Sequence, residues 1–128
     1  MTWEKPKIIH NKLTKWNWMV SYPENLTLGE RVDIGAFVLV EAKNNVWIGD
    51  NVKIGGGTKI YSRNTIGKNE GAVIIQKDAC IGANSVILPG CIVGHGAIIE
   101  ALSRLKAFTH VGPNEYWAGN PAKMIKRL

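Results

Sequence analysis

The chain has 128 residues, with 16 basic and 10 acidic side chains, so its formal charge is 16 − 10 = +6. That length makes one domain whose core gains from burial against further copies, and the basic balance favours anionic partners such as nucleotides or phosphates without naming one. No apolar run reaches bilayer-spanning length, no signal-peptide pattern opens the chain, and Cys80 and Cys91 are too few for a disulfide framework, so a reduced, cytoplasmic setting with no membrane partner is expected.

In chain order, residues 1–27 lie outside any repeat and are expected to form a cap segment. Trp16, Trp18 and Val20 alternate, which predicts a strand with one apolar face, while Lys12, Lys15 and Asn17 keep the stretch partly wet. An uncovered end of a stacked coil would expose core and strand edges, so one reading is a cover for that end. The other is an aromatic platform for a ring-shaped ligand. His10 lies here too and reads as a surface residue.

A period of six starts at Leu28-Gly29 and continues through Ile34-Gly35 and Val40. It slips across Lys43-Asn44-Asn45 and resumes at Ile48-Gly49, Ile54-Gly55 and Ile60. Such slips belong at corners, because an insertion within a strand would turn every later side chain to the other face. Residues 61–72 then break the period. This stretch is polar, has two glycines and is flanked by repeat. It is either a function-bearing excursion from a rigid scaffold or a plain corner loop.

The pattern is cleanest from Ile75 to Leu105. An aliphatic residue opens each block of six: Ile75, Ile81, Ile87, Val93, Ile99, Leu105. The fifth place is always small: Ala79, Ser85, Cys91, Ala97, Ser103. A helical period of 3.6 cannot produce this, and simple alternation would not repeat a small residue in the fifth place. The physical reading is a coil of short parallel strands. The opening aliphatic points inward, the small residue sits where the interior narrows, and the glycine after the aliphatic is expected to supply a positive φ at the turn. Cys91 then reads as a small buried hydrophobe. Residues 106–128 predict a turn through Gly112-Pro113-Asn114 and a short C-terminal helix, with Asn120 as N-cap and Pro121 as its first position. Lys123, Lys126 and Arg127 suit the end of such a helix.

Two stretches resemble a known family. Ile81-Gly82-Ala83-Asn84-Ser85-Val86-Ile87-Leu88-Pro89-Gly90, followed by Val93-Gly94, looks like the hexapeptide-repeat acyltransferases. Trp117-Ala118-Gly119-Asn120-Pro121-Ala122-Lys123 is similar to the closing motif of their acetyltransferase branch. The resemblance covers roughly residues 28–127. It implies an all-β, left-handed parallel β-helix, here of about four coils over residues 28–105 with the short C-terminal helix after it. It also implies a homotrimer with sites between subunits. The hand comes from the resemblance alone, since the general crossover rule favours right-handed connections. About four coils at ~4.8 Å per layer make a prism only ~20 Å tall, with faces too flat to enclose a ligand unaided.

The resemblance further implies acetyl-CoA as co-substrate, no metal, and a small acceptor, a sugar or sugar nucleotide, acetylated on an amine or hydroxyl. Ala83 and Ala101 match positions whose backbone lines the pantetheine arm. Lys106 sits near where the family meets the nucleotide end, and Lys123 and Lys126 match basic positions near the 3′-phosphate, where lysine serves as a point charge. Trp117 either covers the coenzyme or anchors the tail.

The family's catalytic histidine would fall at 63 or 65, where this chain has Arg63 and Thr65. Asn64, His95 and His110 are the remaining catalytic candidates, with His10 as a further source of a base. A general base is worth typically 10² to 10⁴ in rate. Three readings stay open. An amine acceptor could attack a thioester without prior deprotonation, the departing thiolate taking the proton afterwards, with positioning and oxyanion donors sufficing. A base could come from elsewhere in the trimer. Or the chain binds without catalysing, as a trimeric scaffold. A γ-carbonic anhydrase-like metal enzyme shares the β-helix but needs three histidine ligands, and His10, His95 and His110 lack the close pairing of that family. Nucleic-acid binding has only the charge behind it, with no basic stripe interleaved with aromatics.

Overall fold

The computed structural model describes residues 3–128. The chain winds as a parallel β-solenoid, each turn giving one short strand to each of three sheets. The first sheet stacks Met19–Ser21, Leu39–Glu41, Lys59–Tyr61, Val86–Ile87 and Arg104–Leu105. The second stacks Leu26–Leu28, Val46–Ile48, Val73–Ile75, Ile92–Val93 and His110–Val111. The third stacks Asp33–Ile34, Lys53–Ile54, Cys80–Ile81, Ile98–Ile99 and Glu115–Gly119. Short strands suffice because every inner turn pairs above and below, so its backbone donors and acceptors are satisfied between layers.

Strand register turns the period of six into three inward columns. Val20, Val40, Ile60, Ile87 and Leu105 form one. Leu28, Ile48, Ile75, Val93 and Val111 form the second. Ile34, Ile54, Ile81, Ile99 and Trp117 form the third. Nearly all are buried, and so are the fifth-place residues Ala79, Ser85, Cys91, Ala97 and Ser103. Burial pushes the Cys91 thiol above its ordinary pKa, as expected of a structural cysteine.

The solenoid has five turns, not about four. The first begins at Met19, inside the stretch expected to be cap, and its opening residue Val20 is separated from Leu28 by a short 3₁₀ turn at Pro23–Asn25. The fifth continues past Leu105 through Val111 and Trp117. That spacing is still six, but Thr109 and Glu115 hold the fifth places, and the small-residue signature is lost. Of the alternating stretch, Met19–Ser21 is strand, and Trp18 and Val20 join the core.

The glycines have a different reason than expected. Positive φ falls two residues later, at Phe37, Gly57, Asn84 and Leu102 on one corner and Arg31, Asn51, Asp78, Gly96 and Asn114 on another. What forbids a side chain at Gly82 is close approach: a Cβ there would stand 2.2 Å from the Ala101 nitrogen of the next turn. Glycine is needed here because backbone stacks on backbone, not because of φ.

Both slips fall at corners between the first and second sheets. The break at residues 61–72 begins after Tyr61, which completes its strand. The excursion is a small hairpin, Arg63–Asn64 against Asn69–Glu70, closed by the Gly71 N–H donating to the Ser62 carbonyl at 3.0 Å.

The C-terminal helix expected after Asn120 does not form. Ala122–Arg127 is a strand running antiparallel on Glu115–Gly119. A tail this short cannot recover the cost of helix nucleation. Glu115–Gly119 offers an open sheet edge, and pairing satisfies both backbones at once. Asn120 and Pro121 are therefore the hairpin turn rather than cap and first helical residue, and the Arg104 Nε donates to Asn120 Oδ1 at 2.6 Å. No helix among the described residues is long and apolar enough to cross a membrane.

Candidate functional site

The outward face of the third sheet gathers several of the expected residues. Successive side chains of a strand point to opposite faces. With Ile34, Ile54, Ile81, Ile99 and Trp117 turned inward, their neighbours Asp33, Lys53, Cys80, Ile98 and Tyr116 line up outside, in register. A shallow groove of about 510 Å³ follows this face from Asp33 past Gly55, Cys80, Gly82 and Glu100 to Ala101. The glycine corner forms its edge. Ala101 lines it and Ala83 lies one residue beyond Gly82, its carbonyl accepting the Leu102 N–H at 2.9 Å.

The terminal hairpin stands at the top of this face. Lys126 is opposite Tyr116 and Lys123 is opposite Ala118. Tyr116 and Ala118 flank the inward Trp117, so both lysines share the outward side. Positions three apart would fall on opposite faces of a regular strand. The register shift between Tyr116 and Trp117 restores them to one side. The Lys126 Nζ lies 5.7 Å from the centroid of the Tyr116 ring. Lys106 is elsewhere, exposed on the corner between the first and second sheets, with its carbonyl accepting from the Thr109 hydroxyl at 2.7 Å.

Trp117 extends the third column above Ile99 and packs against the core. Its indole N–H donates to Glu115 Oε1 at 3.1 Å, and the Gly112 N–H donates to the same oxygen at 2.7 Å. These contacts fix the indole between the core and Glu115. The Trp117 indole and then the Gly112 amide hold the Glu115 carboxyl below the usual carboxylate range. A lowered folded-state pKa gives a contribution that is full above the unfolded value and is lost as pH falls through the folded one. Acidification below the ordinary glutamate pKa of about 4.3 should therefore loosen the hairpin. The Trp117 indole N–H resonance is expected to titrate there, and Glu115→Gln should remove that step. A resonance unmoved between neutral pH and the acid limit of folding would contradict this.

The catalytic candidates are not gathered at one place among the described residues. Asn64 Oδ1 accepts the Gly67 N–H at 3.2 Å and holds the tip of the corner hairpin, with Thr65 in its turn. Arg63, at the expected histidine position, places its Nε 3.6 Å from Glu41 Oε2. Glu41 Oε1 accepts the Ser62 hydroxyl at 2.8 Å and the Lys43 N–H at 3.3 Å. Glu41 thus knots the base of the excursion. Sequence periodicity could not single it out, since it ends a strand at a place held by Ser21 and Tyr61 in neighbouring turns. His95 is exposed at the corner after Val93, and His110 is exposed at the start of the last second-sheet strand. His10 Nδ1 accepts the Tyr22 N–H at 2.8 Å, and its ring stands edge-on to Tyr22. Among the described residues no hydrogen bond or ion pair joins these histidines, and no group of three or more His, Cys, Asp or Glu is placed to hold a metal.

This architecture is that of a hexapeptide-repeat β-helix. Residues 72–107 match the family described as bacterial transferase hexapeptide (six repeats). The chain is 30% identical over 112 residues to a mitochondrial gamma carbonic anhydrase 2 of Arabidopsis thaliana, spanning 81% of this chain and 37% of that protein. It is 33% identical over 114 residues to a probable macrolide acetyltransferase of Lysinibacillus sphaericus, spanning 78% of this chain and 62% of that one. Its structure is similar to a hexapeptide-repeat acetyltransferase of Vibrio cholerae O1 biovar eltor complexed with acetyl coenzyme A, with TM-score 0.80, 23% identity, and coverage of 87% of this chain and 64% of the other. It is also similar to a maltose O-acetyltransferase of Clostridium difficile 630, with TM-score 0.79, 26% identity, and coverage of 88% and 64%. Residues 72–107 thus carry the hexapeptide repeat, and the chain has a β-solenoid similar to that of these acetyltransferases, a fold consistent with left-handed winding. It spans 37% of the length of the plant protein and 62% of that of the macrolide acetyltransferase.

Proposed function

We propose that this chain is a CoA-dependent acyltransferase that moves acetyl from acetyl-CoA to an amine or hydroxyl of a small acceptor, a sugar or sugar nucleotide. The observation that carries the reading is the groove of the third sheet, edged by backbone at Gly55, Gly82 and Ala101 and overlooked by Lys123 and Lys126. A side-chain-free edge lets a narrow pantetheine arm lie against peptide groups. Paired ammonium groups at one end meet phosphate. The acetyltransferase relatives, one of them an acetyl-CoA complex, support the donor, and the maltose O-acetyltransferase supports a sugar acceptor.

In the reaction the acceptor nitrogen or oxygen bonds to the acetyl carbonyl carbon, the carbon–sulfur bond breaks, and coenzyme A leaves as thiolate. The acceptor's proton ends on that sulfur. With Arg63 engaged by Glu41 and no histidine at the excursion, an amine acceptor needs the least help from this chain. Assembly as a homotrimer completes the site by bringing a second subunit's corner over the open groove. Exposed apolar side chains on the corners, Ile66 at 94% and Leu102 at 73%, support that assembly. A cytoplasmic setting supplies the coenzyme.

The test is calorimetric titration with acetyl-CoA, using dephospho-CoA as control. Binding that weakens without the 3′-phosphate supports the groove and its lysines. No heat at millimolar acetyl-CoA sinks the enzyme reading. It would favour the second one, a trimeric β-helix that binds or scaffolds without catalysis, for which the arginine at the base position speaks.

A further inference from the structure

We infer that the pocket at the first turn of the solenoid binds a neutral pyranose sugar. The N-terminal segment folds beside the start of the third sheet and, with it, bounds a cavity of about 360 Å³. That lies within the range of small-ligand sites, about 300–1,000 Å³. Trp3, Trp16 and Trp18 contribute to its wall, together with Glu4, Lys15 and Asp33. Trp18 is 3% exposed and belongs to the core, whereas Trp16 remains 37% exposed. A chain of this size has ample apolar surface to cover an indole. Leaving one half in solvent at the wall of a polar-rimmed cavity suits recognition rather than stability.

The chemistry of the rim selects the ligand. The flat face of an indole is electronegative and accepts the weakly positive C–H face of a pyranose ring. The Lys15 Nζ sits over one face of the Trp16 ring, 4.9 Å from its centroid, and pairs with Glu4 at 2.5 Å, so a donor–acceptor couple covers that face and a sugar would stack on the other. Asp33 lies across the sheet from Lys53 and makes no ion pair or side-chain hydrogen bond among the described residues, so its carboxylate is free to accept a hydroxyl. The cavity wall carries two carboxylates, Glu4 and Asp33, and one ammonium, Lys15, and Lys53, which stands beside Asp33 on the next strand outside the wall, brings the local charge close to balance. A charged sugar finds no net opposite charge, while a neutral polyhydroxylated ring finds both donors and acceptors.

Asp33 also lines the groove assigned to the coenzyme, so the two cavities meet at this residue. A hydroxyl held by Asp33 would face the end of that groove. The role of this sugar as acceptor rests on the acyltransferase reading; its binding does not.

The experiment uses the full chain without coenzyme, titrated with methyl glycosides of glucose, galactose, mannose and N-acetylglucosamine. Glucosamine and glucuronate serve as charged controls, and the tryptophan indole N–H resonances report binding. At least one neutral glycoside should shift the Trp16 resonance saturably. Asp33→Asn and Trp16→Ala should each weaken that glycoside about tenfold, with the remaining indoles as reporters and acetyl-CoA affinity of Trp16→Ala within about twofold of the parent. The proposal is overturned if no neutral glycoside shifts the resonance at up to about 100 mM, or if the charged controls bind better. It is also overturned if both variants bind unchanged. Glycoside binding without acetyl-CoA binding would end the acceptor role and the acyltransferase reading together. Acetyl-CoA binding without glycoside binding would end this proposal alone.

Discussion

Replacing both Lys123 and Lys126 by alanine is expected to weaken acetyl-CoA binding about a hundredfold while leaving the fold intact. Both side chains are exposed on the terminal strand, and neither contributes to the core. A hydrogen bond to a charged group is worth about 1.5–3 kcal/mol, and exposure places each lysine at the lower end, so the pair amounts to about 3 kcal/mol. Titration calorimetry of the double variant against acetyl-CoA and dephospho-CoA separates the causes. Loss should be large for acetyl-CoA and small for dephospho-CoA, because the missing phosphate already removes one partner. Equal affinity of parent and variant for acetyl-CoA would remove these lysines from the coenzyme site. The bulge in the hairpin gives a control for the same expectation. Lys126 is on the groove side because Ile125 is the extra residue of the register shift at Tyr116 and Trp117. Deleting Ile125 leaves Lys123 and Lys126 two apart on a regular strand, so both should stay on that side and acetyl-CoA affinity should stay close to that of the parent.

The largest effect on stability is expected at Gly82. A methyl group there would meet the Ala101 nitrogen at 2.2 Å and its Cα at 2.6 Å. Neither can move without parting two turns whose strands are hydrogen-bonded on both sides. Gly82→Ala should cost about 3 kcal/mol, the upper part of the range for overpacking. Urea unfolding at fixed protein concentration measures it, since the proposed assembly would make apparent stability concentration-dependent. Asparagine distinguishes the two possible roles of the glycine. Were positive φ the requirement, Gly82→Asn would be tolerated better than Gly82→Ala, because asparagine enters the left-handed region readily. Close approach predicts that asparagine is no better. The converse holds at Asn84, whose φ is 56, where Asn84→Gly should be nearly neutral.

Much of the solenoid was legible in the sequence because each inward residue is a local consequence of a six-residue period. The columns through Ile60, Ile75, Ile81, Ile87, Val93 and Ile99 needed no knowledge of what lay above or below them. The break after Tyr61 and the slip at residues 43–45 were placed at corners for the same reason: strands tolerate no insertion that flips their faces. The ends were harder to read. Val20 belongs to a column, but a 3₁₀ turn lengthens its spacing to the next column. Val111 and Trp117 keep the spacing without the small residue that marks it.

What tertiary structure alone decided is what one turn does to the next. Whether Gly82 serves a dihedral or a contact depends on Ala101, nearly twenty residues away, and no local pattern contains that distance. Whether residues 122–127 form a helix or a strand depends on an open sheet edge at Glu115–Gly119. The expectation of a helix used the local capping signals correctly, but the edge overrode them. The side on which Lys126 stands depends on a bulge in that pairing. The meeting of the Trp16 pocket and the third-sheet groove at Asp33 depends on how the N-terminal segment folds back. In sequence these residues are an arm, a strand and a tail. Coiling brings arm and strand together at one end of a face and sets the tail at the other, because in a solenoid residues about twenty apart become neighbours along the axis.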